Sequence, residues 1–215
     1  DNLGSLSAFV NSTFDSEDGT SPIYLAAKIG NLKALEMLIR AGFNVNVGTR
    51  SPLEGVSKET PKVVEVVKML LEARADPDKA NRSDGTTPLI TASTNGRAEV
   101  VKMLLGAGAD PNKATTDTGD TPLFGASCYG HAEVVKILLG SGANPDKATT
   151  DIDMTSLFIA SQEGHSEVVK ILLGAGADKD KATTDDGQTP VYAASRSGRA
   201  EVAKILLDAG ADPDK

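Results

Sequence analysis

The sequence predicts an all-α solenoid, one elongated domain of about six stacked helix-turn-helix units. Three observations carry this. First, Thr87, Thr121, Thr155 and Thr189 each open a similar phrase (TPL, TPL, TSL, TPV) and are evenly spaced, 34 residues apart (155 − 121). A fixed period of that size is the signature of stacked repeats. Second, each copy splits at a Gly (Gly96, Gly130, Gly164, Gly198) into two short apolar-periodic stretches, and a Gly or Asp then closes the second. Third, helices of about eight residues are marginal alone, because nucleation is costly, so stacking on neighbours is required.

The elements follow in order. In residues 1–18, Leu3, Leu6 and Val10 lie at helical spacing near Phe9 and Phe14, which predicts an N-terminal capping helix. The units fall at about 19–48, 49–84, 85–118, 119–152, 153–186 and 187–215. Ser21-Pro22-Ile23 opens the first and Ser51-Pro52-Leu53 the second. The second is irregular: Leu53 to Val66 is 13 residues, where Leu89 to Val100 is 11, so two residues are inserted between its helices. The third shows the physics. Thr87 is a good N-cap, and Pro88 sits at the first helical position, where its missing N–H costs nothing. Leu89 and Ala92 point inward, and Gly96 ends the helix in the left-handed conformation. The second helix starts near Ala98, with Glu99 in its positive first turn and Val100, Val101, Leu104 and Leu105 as its apolar face. After Gly108, two turn signals around Ala109–Gly119 predict a hairpin-like projecting finger. The Glu99/Lys102, Glu133/Lys136, Glu167/Lys170 and Glu201/Lys204 pairs are expected to decorate the outer face as i,i+3 neighbours.

The stretch Thr121–Asp146, TPLFGASCYGHAEVVKILLGSGANPD, resembles the ankyrin repeat in its TPL opening, its Gly-His between helices, its VVKILL second helix and its closing turn. The resemblance runs from Gly19 to Lys215. There are departures. The period is one residue longer than usual, and the extra residue falls in the finger, within KATTD. Tyr24, Glu54, Ile90, Phe124, Phe158 and Tyr192 stand where the family has a His. Arg74 holds a helix-ending position that Gly108, Gly142 and Gly176 fill elsewhere, so the second unit is expected to be the least regular.

Composition narrows the function classes. The net charge is −8 and the pI about 4.8, which argues against nucleic acid or anionic membranes as partners. Cys128 is the single Cys, which excludes an internal disulfide framework and fits a cytoplasmic or other intracellular compartment. No apolar run approaches the ~18 residues of a membrane span. His131 and His165 exchange with Arg97 and Arg199, so general-base or metal work is not expected of them; hydrogen bonds between units are. Cys128 has no recurring His or Asp partner. Gly106-Ala107-Gly108 follows a helix and lacks the Lys of a phosphate loop. Asp117, Asp120, Asp151 and Asp153 show no calcium-loop spacing. No catalysis, cofactor or metal is therefore expected, and the chain should be a monomer. It begins at Asp1, which suggests a segment of a longer protein. Without a cap beyond Lys215, Leu206 and Leu207 are expected to meet water.

The resemblance implies a scaffold that binds a protein or peptide partner on a concave face and at its finger tips. Comparison among the copies adds independent information, since columns that stay fixed serve packing and columns that vary are free of it. The residue before the Thr varies (Arg50, Asp120, Met154, Gln188), as does the pair before the inter-helix Gly (Cys128-Tyr129, Gln162-Glu163, Arg196-Ser197). Phe124, Phe158 and Tyr192 add an aromatic column. Apart from Ser197, these are the candidate partner-binding residues, with Phe124 and Tyr129 the anchors. Drift at solvated sites, or burial of the aromatic column against the next unit, would also produce these patterns. Two other readings remain open: an engineered or consensus-like scaffold, and the targeting segment of a larger enzyme or channel.

Overall fold

A computed structural model describes residues 20–46, 48, 50–56 and 62–214. Eleven helices and no strand occur among the described residues. They are α1 (Pro22–Lys28), α2 (Leu32–Arg40), α3 (Val63–Glu72), α4 (Pro88–Thr94), α5 (Ala98–Gly106), α6 (Pro122–Cys128), α7 (Ala132–Gly140), α8 (Ser156–Glu163), α9 (Ser166–Gly174), α10 (Pro190–Arg196) and α11 (Ala200–Asp208). The 1–18 cap lies outside the described residues. From α4 onward the first helices (α4, α6, α8, α10) lie side by side, and the second helices (α5, α7, α9, α11) form a row behind them.

The caps behave as their chemistry demands. Ser21, Thr87, Thr121, Thr155 and Thr189 each accept the N–H three residues on through the side-chain oxygen. Between the helices Gly96 (φ 70°) and Gly130 (φ 71°) take the left-handed conformation. One line of apolar residues runs the length of the array. Leu89, Leu123 and Leu157 from the first helices and Val101, Val135, Val169 and Leu206 from the second are completely buried, and Ala126, Ala160 and Ala194 keep the first helices close. Leu206 thus differs from the sequence expectation: it turns inward against α9 and α10 and never meets water, while Leu207, on the far side of the same helix, is exposed.

Adjacent pairs are tied by hydrogen bonds between side chain and backbone. The His131 Nε2 lies 2.9 Å from the Thr94 carbonyl, and the His165 Nε2 lies 2.9 Å from that of Cys128. A carbonyl only accepts, so Nε2 carries the proton in both. Arg199 Nε donates to the Gln162 carbonyl at 3.0 Å in the same way. These bridges need the glycines. A Cβ on Gly96 would stand 2.6 Å from the His131 ring, and one on Gly130 the same distance from His165.

A second set of ties runs along the closing turns. The Asn144 N–H donates to Asn112 Oδ1 (2.7 Å), the Asp178 N–H to Asp146 (2.8 Å) and the Asp212 N–H to Asp180 (2.9 Å). Lys113, Lys147 and Lys181 reach back to carbonyls of the preceding turn. The fingers are held likewise. Each closes on a backbone bond, such as Thr115 N–H to the Asp120 carbonyl (3.0 Å), and leans on its neighbour through Thr116 to Asp84, Thr150 to Thr118 and Thr184 to Ile152. Charges on the second helices pair across the array: Lys102 meets Glu133 at 3.5 Å and Lys136 meets Glu167 at 3.2 Å. The i,i+3 partners anticipated for these lysines are thus replaced by the carboxylate of the next pair, which the stacking brings into reach.

The second pair is the irregular one. Residues 52–55 form turns in place of a first helix, although Leu53 and Val56 still reach the core. Gly55 explains the close approach there, since a Cβ would stand 2.6 Å from the Tyr24 ring. Residues 57–61, which carry most of the anticipated insertion, lie outside the described residues. Lys62 (φ 53°) and Arg74 (φ 63°) are both left-handed without being Gly. Such a conformation costs an ordinary residue roughly 1–2 kcal/mol.

Two outcomes follow. Arg74→Gly should stabilise the array by about 1 kcal/mol in urea denaturation; an equal or lower midpoint would show that the Arg74 backbone carries no strain. Gly96→Ala and His131→Ala should each destabilise, but the double variant should lose about 1 kcal/mol less than the two added together, because removing the ring removes its clash.

Candidate partner-binding face

The first helices and fingers carry the twelve candidate residues, and the structure sorts them. Asp120, Phe124, Cys128 and Tyr129 come together. With Thr86, Ile90, Thr91, Thr94, Asn95, Thr115 and Gly125 they line one open cleft of about 380 Å³ between α4 and α6. Tyr129 is 61% exposed and Phe124 is half-buried. Gly125 stands where the other first helices bear Leu25, Thr91, Ile159 and Ala193. A Cβ there would lie 2.4 Å from the Thr94 hydroxyl. Glycine at this position lets the Thr94 side chain approach α6 at the wall of the cleft.

Its electrostatics are acidic. Burial pushes the Asp120 carboxyl above its usual range; a hydrogen bond from Thr118 works downward, and the charges of Asp117 and Asp151 push it up again. Burial also raises the Cys128 thiol, with Glu163 and Asp120 adding to the rise. A thiol so placed is a poor nucleophile. Asp117 itself is held low, chiefly by the Thr118 N–H.

Met154, Phe158, Gln162, Gln188 and Arg196 line another, smaller depression of about 290 Å³ between α8 and α10. It is internally satisfied: Arg196 donates to Gln188 Oε1 at 3.2 Å, and Gln188 in turn donates to Asp186. Phe158 is only 4% exposed and offers the least surface of the aromatic column, whereas Tyr192 is 49% exposed. Glu163 is exposed beside Gln162. Arg50 lies apart from both depressions, its guanidinium 5.9 Å above the ring of the buried Tyr24 and bonded to its hydroxyl at 3.4 Å.

Sequence reasoning passed over Gly125 as a cleft residue. The signal for Gly125 was present: a mid-helix Gly costs about 1 kcal/mol against Ala, and the other Gly of this column, Gly55, lies in the turns of the irregular second pair. Asp153 is also reassigned. Its φ of 57° places it in the left-handed finger position held by Gly85, Gly119 and Gly187, a backbone duty. Among the described residues no group of three or more His, Cys, Asp or Glu is placed to hold a metal ion. No described helix is long and apolar enough to cross a membrane.

Comparison with protein families agrees with this geometry. A model of ankyrin repeats in three copies matches residues 55–149 and 147–215, and a single ankyrin-repeat model matches 18–50. The chain belongs to the ankyrin-repeat family. Ankyrin repeats are in general protein–protein interaction modules and are typically not catalytic. No curated protein matches the chain.

The aromatic column contains one polar misfit. Glu54 is partly buried, and its Oε2 is enclosed without a hydrogen-bond partner. Burial raises its carboxyl, Arg50 lowers it, and Asp84 raises it. A raised folded value means that the fold binds this proton more tightly than the unfolded chain does. The contribution is therefore favourable below the ordinary carboxylate range and is lost as pH rises through the raised value. Glu54→Ile should raise the apparent Tm at neutral pH by about 2–4 °C, and the gain should shrink in acid. A gain that did not change with pH would mean that Glu54 ionisation is not its source.

Proposed function

We propose that this chain is an interaction scaffold that binds a protein or peptide on the concave face and finger tips of one continuous array of six units, without catalysing a reaction. The observation that carries the reading is the cleft at Phe124 and Tyr129. A 61%-exposed Tyr beside a half-buried Phe is the arrangement that makes an energetic anchor, with large apolar area already ordered by the scaffold. Asp120, Cys128 and the polar edge of the α8–α10 depression supply the rim, and Arg50 and Tyr192 extend it. We read the chain as a monomer working in a reducing, intracellular compartment. The irregular second pair weighs against a consensus-built scaffold.

The reading is tested with the whole array as bait for affinity capture from cell extract, read by mass spectrometry. The captured partner is then measured against variants. Tyr129→Ala and Phe124→Ala should each weaken binding about tenfold with the fold intact by circular dichroism. Unchanged affinity in both would remove the cleft from the interface.

A further inference from the structure

The cleft between α4 and α6 differs from its neighbour in one respect: its charge is left uncompensated from within. None of its eleven lining residues is Lys, Arg or His. The charged groups acting on Asp120 are Asp117 and Asp151, and those acting on Cys128 are Glu163 and Asp120; all are acids. The depression between α8 and α10, by contrast, contains Arg196, tied through Gln188 to Asp186. We propose that the α4–α6 cleft takes an extended peptide segment in which a Lys or Arg adjoins an aliphatic or aromatic side chain, the apolar group on Phe124 and Tyr129 and the cation at Asp120.

This inference rests on the interaction reading above and names the partner's chemistry. The depression, at about 380 Å³, has room for a large side chain, and its apolar surface is supplied by Ile90, Phe124 and Tyr129. An apolar segment alone would bury the Asp120 carboxylate further and leave it unpaired, which is the costly outcome for a charge. An acidic segment would meet Asp117, Asp151 and Glu163 as well. A cation placed at Asp120 offsets the desolvation and draws on the field of all four carboxylates, a form of complementarity that also speeds encounter. Thr86, Thr91, Thr94 and Asn95, on the opposite wall, are hydrogen-bonding groups suited to a peptide backbone. The same charge balance disfavours nucleic acid at this site.

The test selects peptides from a phage-displayed random dodecapeptide library on the immobilised full chain. The expected pool is enriched in Lys and Arg next to aliphatic or aromatic residues. The most enriched peptide, synthesised and measured by fluorescence anisotropy, should bind about tenfold more weakly to Asp120→Asn and to Tyr129→Ala. Its affinity should fall with rising salt, and less steeply for Asp120→Asn. Asn keeps the acceptor used by Thr118, and Tyr129 is exposed, so thermal melting should show both variants folded. A pool without basic enrichment that still loses affinity on Phe124→Ala and Tyr129→Ala would overturn the basic partner and leave the interaction face standing. Peptides that bind those two variants undiminished, or no enrichment at all, would overturn the docking site itself.

Discussion

Every described helix is ten residues or shorter, a length that does not hold in water by itself. The array therefore depends on contacts between successive pairs, and the most demanding of these is the imidazole that caps the end of the preceding first helix. His131 reaches across Gly96 to the Thr94 carbonyl, and His165 reaches across Gly130 to that of Cys128. One bond satisfies a helix-end carbonyl, sets the distance between neighbouring pairs and forbids a side chain on the glycine beneath. The turn ladder from Asp78 through Asp180 and the finger bonds from Asp84 through Ile152 repeat the same logic at the two other levels of the stack.

Three levels of ties explain why the chain tolerates its second pair. Residues 52–55 lack a helix, yet Leu53 and Val56 stay in the core. On the turn level Asn46 accepts the Asp76 N–H and donates to the Arg74 carbonyl. An array whose units contact only neighbours can absorb a local defect without losing register elsewhere. Arg74 shows the limit: its carbonyl is used, so its left-handed backbone is retained despite the side chain.

What was legible in the sequence follows from how far each interaction reaches. The caps at Thr87 or Thr121 and the left-handed glycines are local, decided within three or four residues, and pattern alone reveals them. The bridging role of His131 and His165 was also readable, because exchange with Arg97 and Arg199 leaves hydrogen-bond donation as the shared property. The pairing of Lys102 with Glu133 was not. Two carboxylates lie near each lysine, one in its own helix and one in the next, and only the stacking geometry decides between them. The inward turn of Leu206 was missed for a related reason: one helix face is buried by α9 and α10 whatever follows the helix.

The proposed binding face has a different origin from the scaffold. The α4–α6 cleft is set apart by residues particular to its copy, beginning with Gly125, which gives up helix propensity within α6. Around it stand Asp120, where other pairs have Met154 or Gln188, and Tyr129, where the others have Asn95 or Glu163. Each of these is unfavourable or indifferent for folding: a mid-helix glycine, a half-buried carboxylate among acids and a Tyr in water. Three such departures converge on one cleft, while α8 and α10 satisfy their polar groups internally. Local features that do not serve the fold and cluster in one place are what a binding site requires of a sequence. Here they lie on helices held by the ties between neighbouring pairs, which lowers the ordering cost a partner would meet.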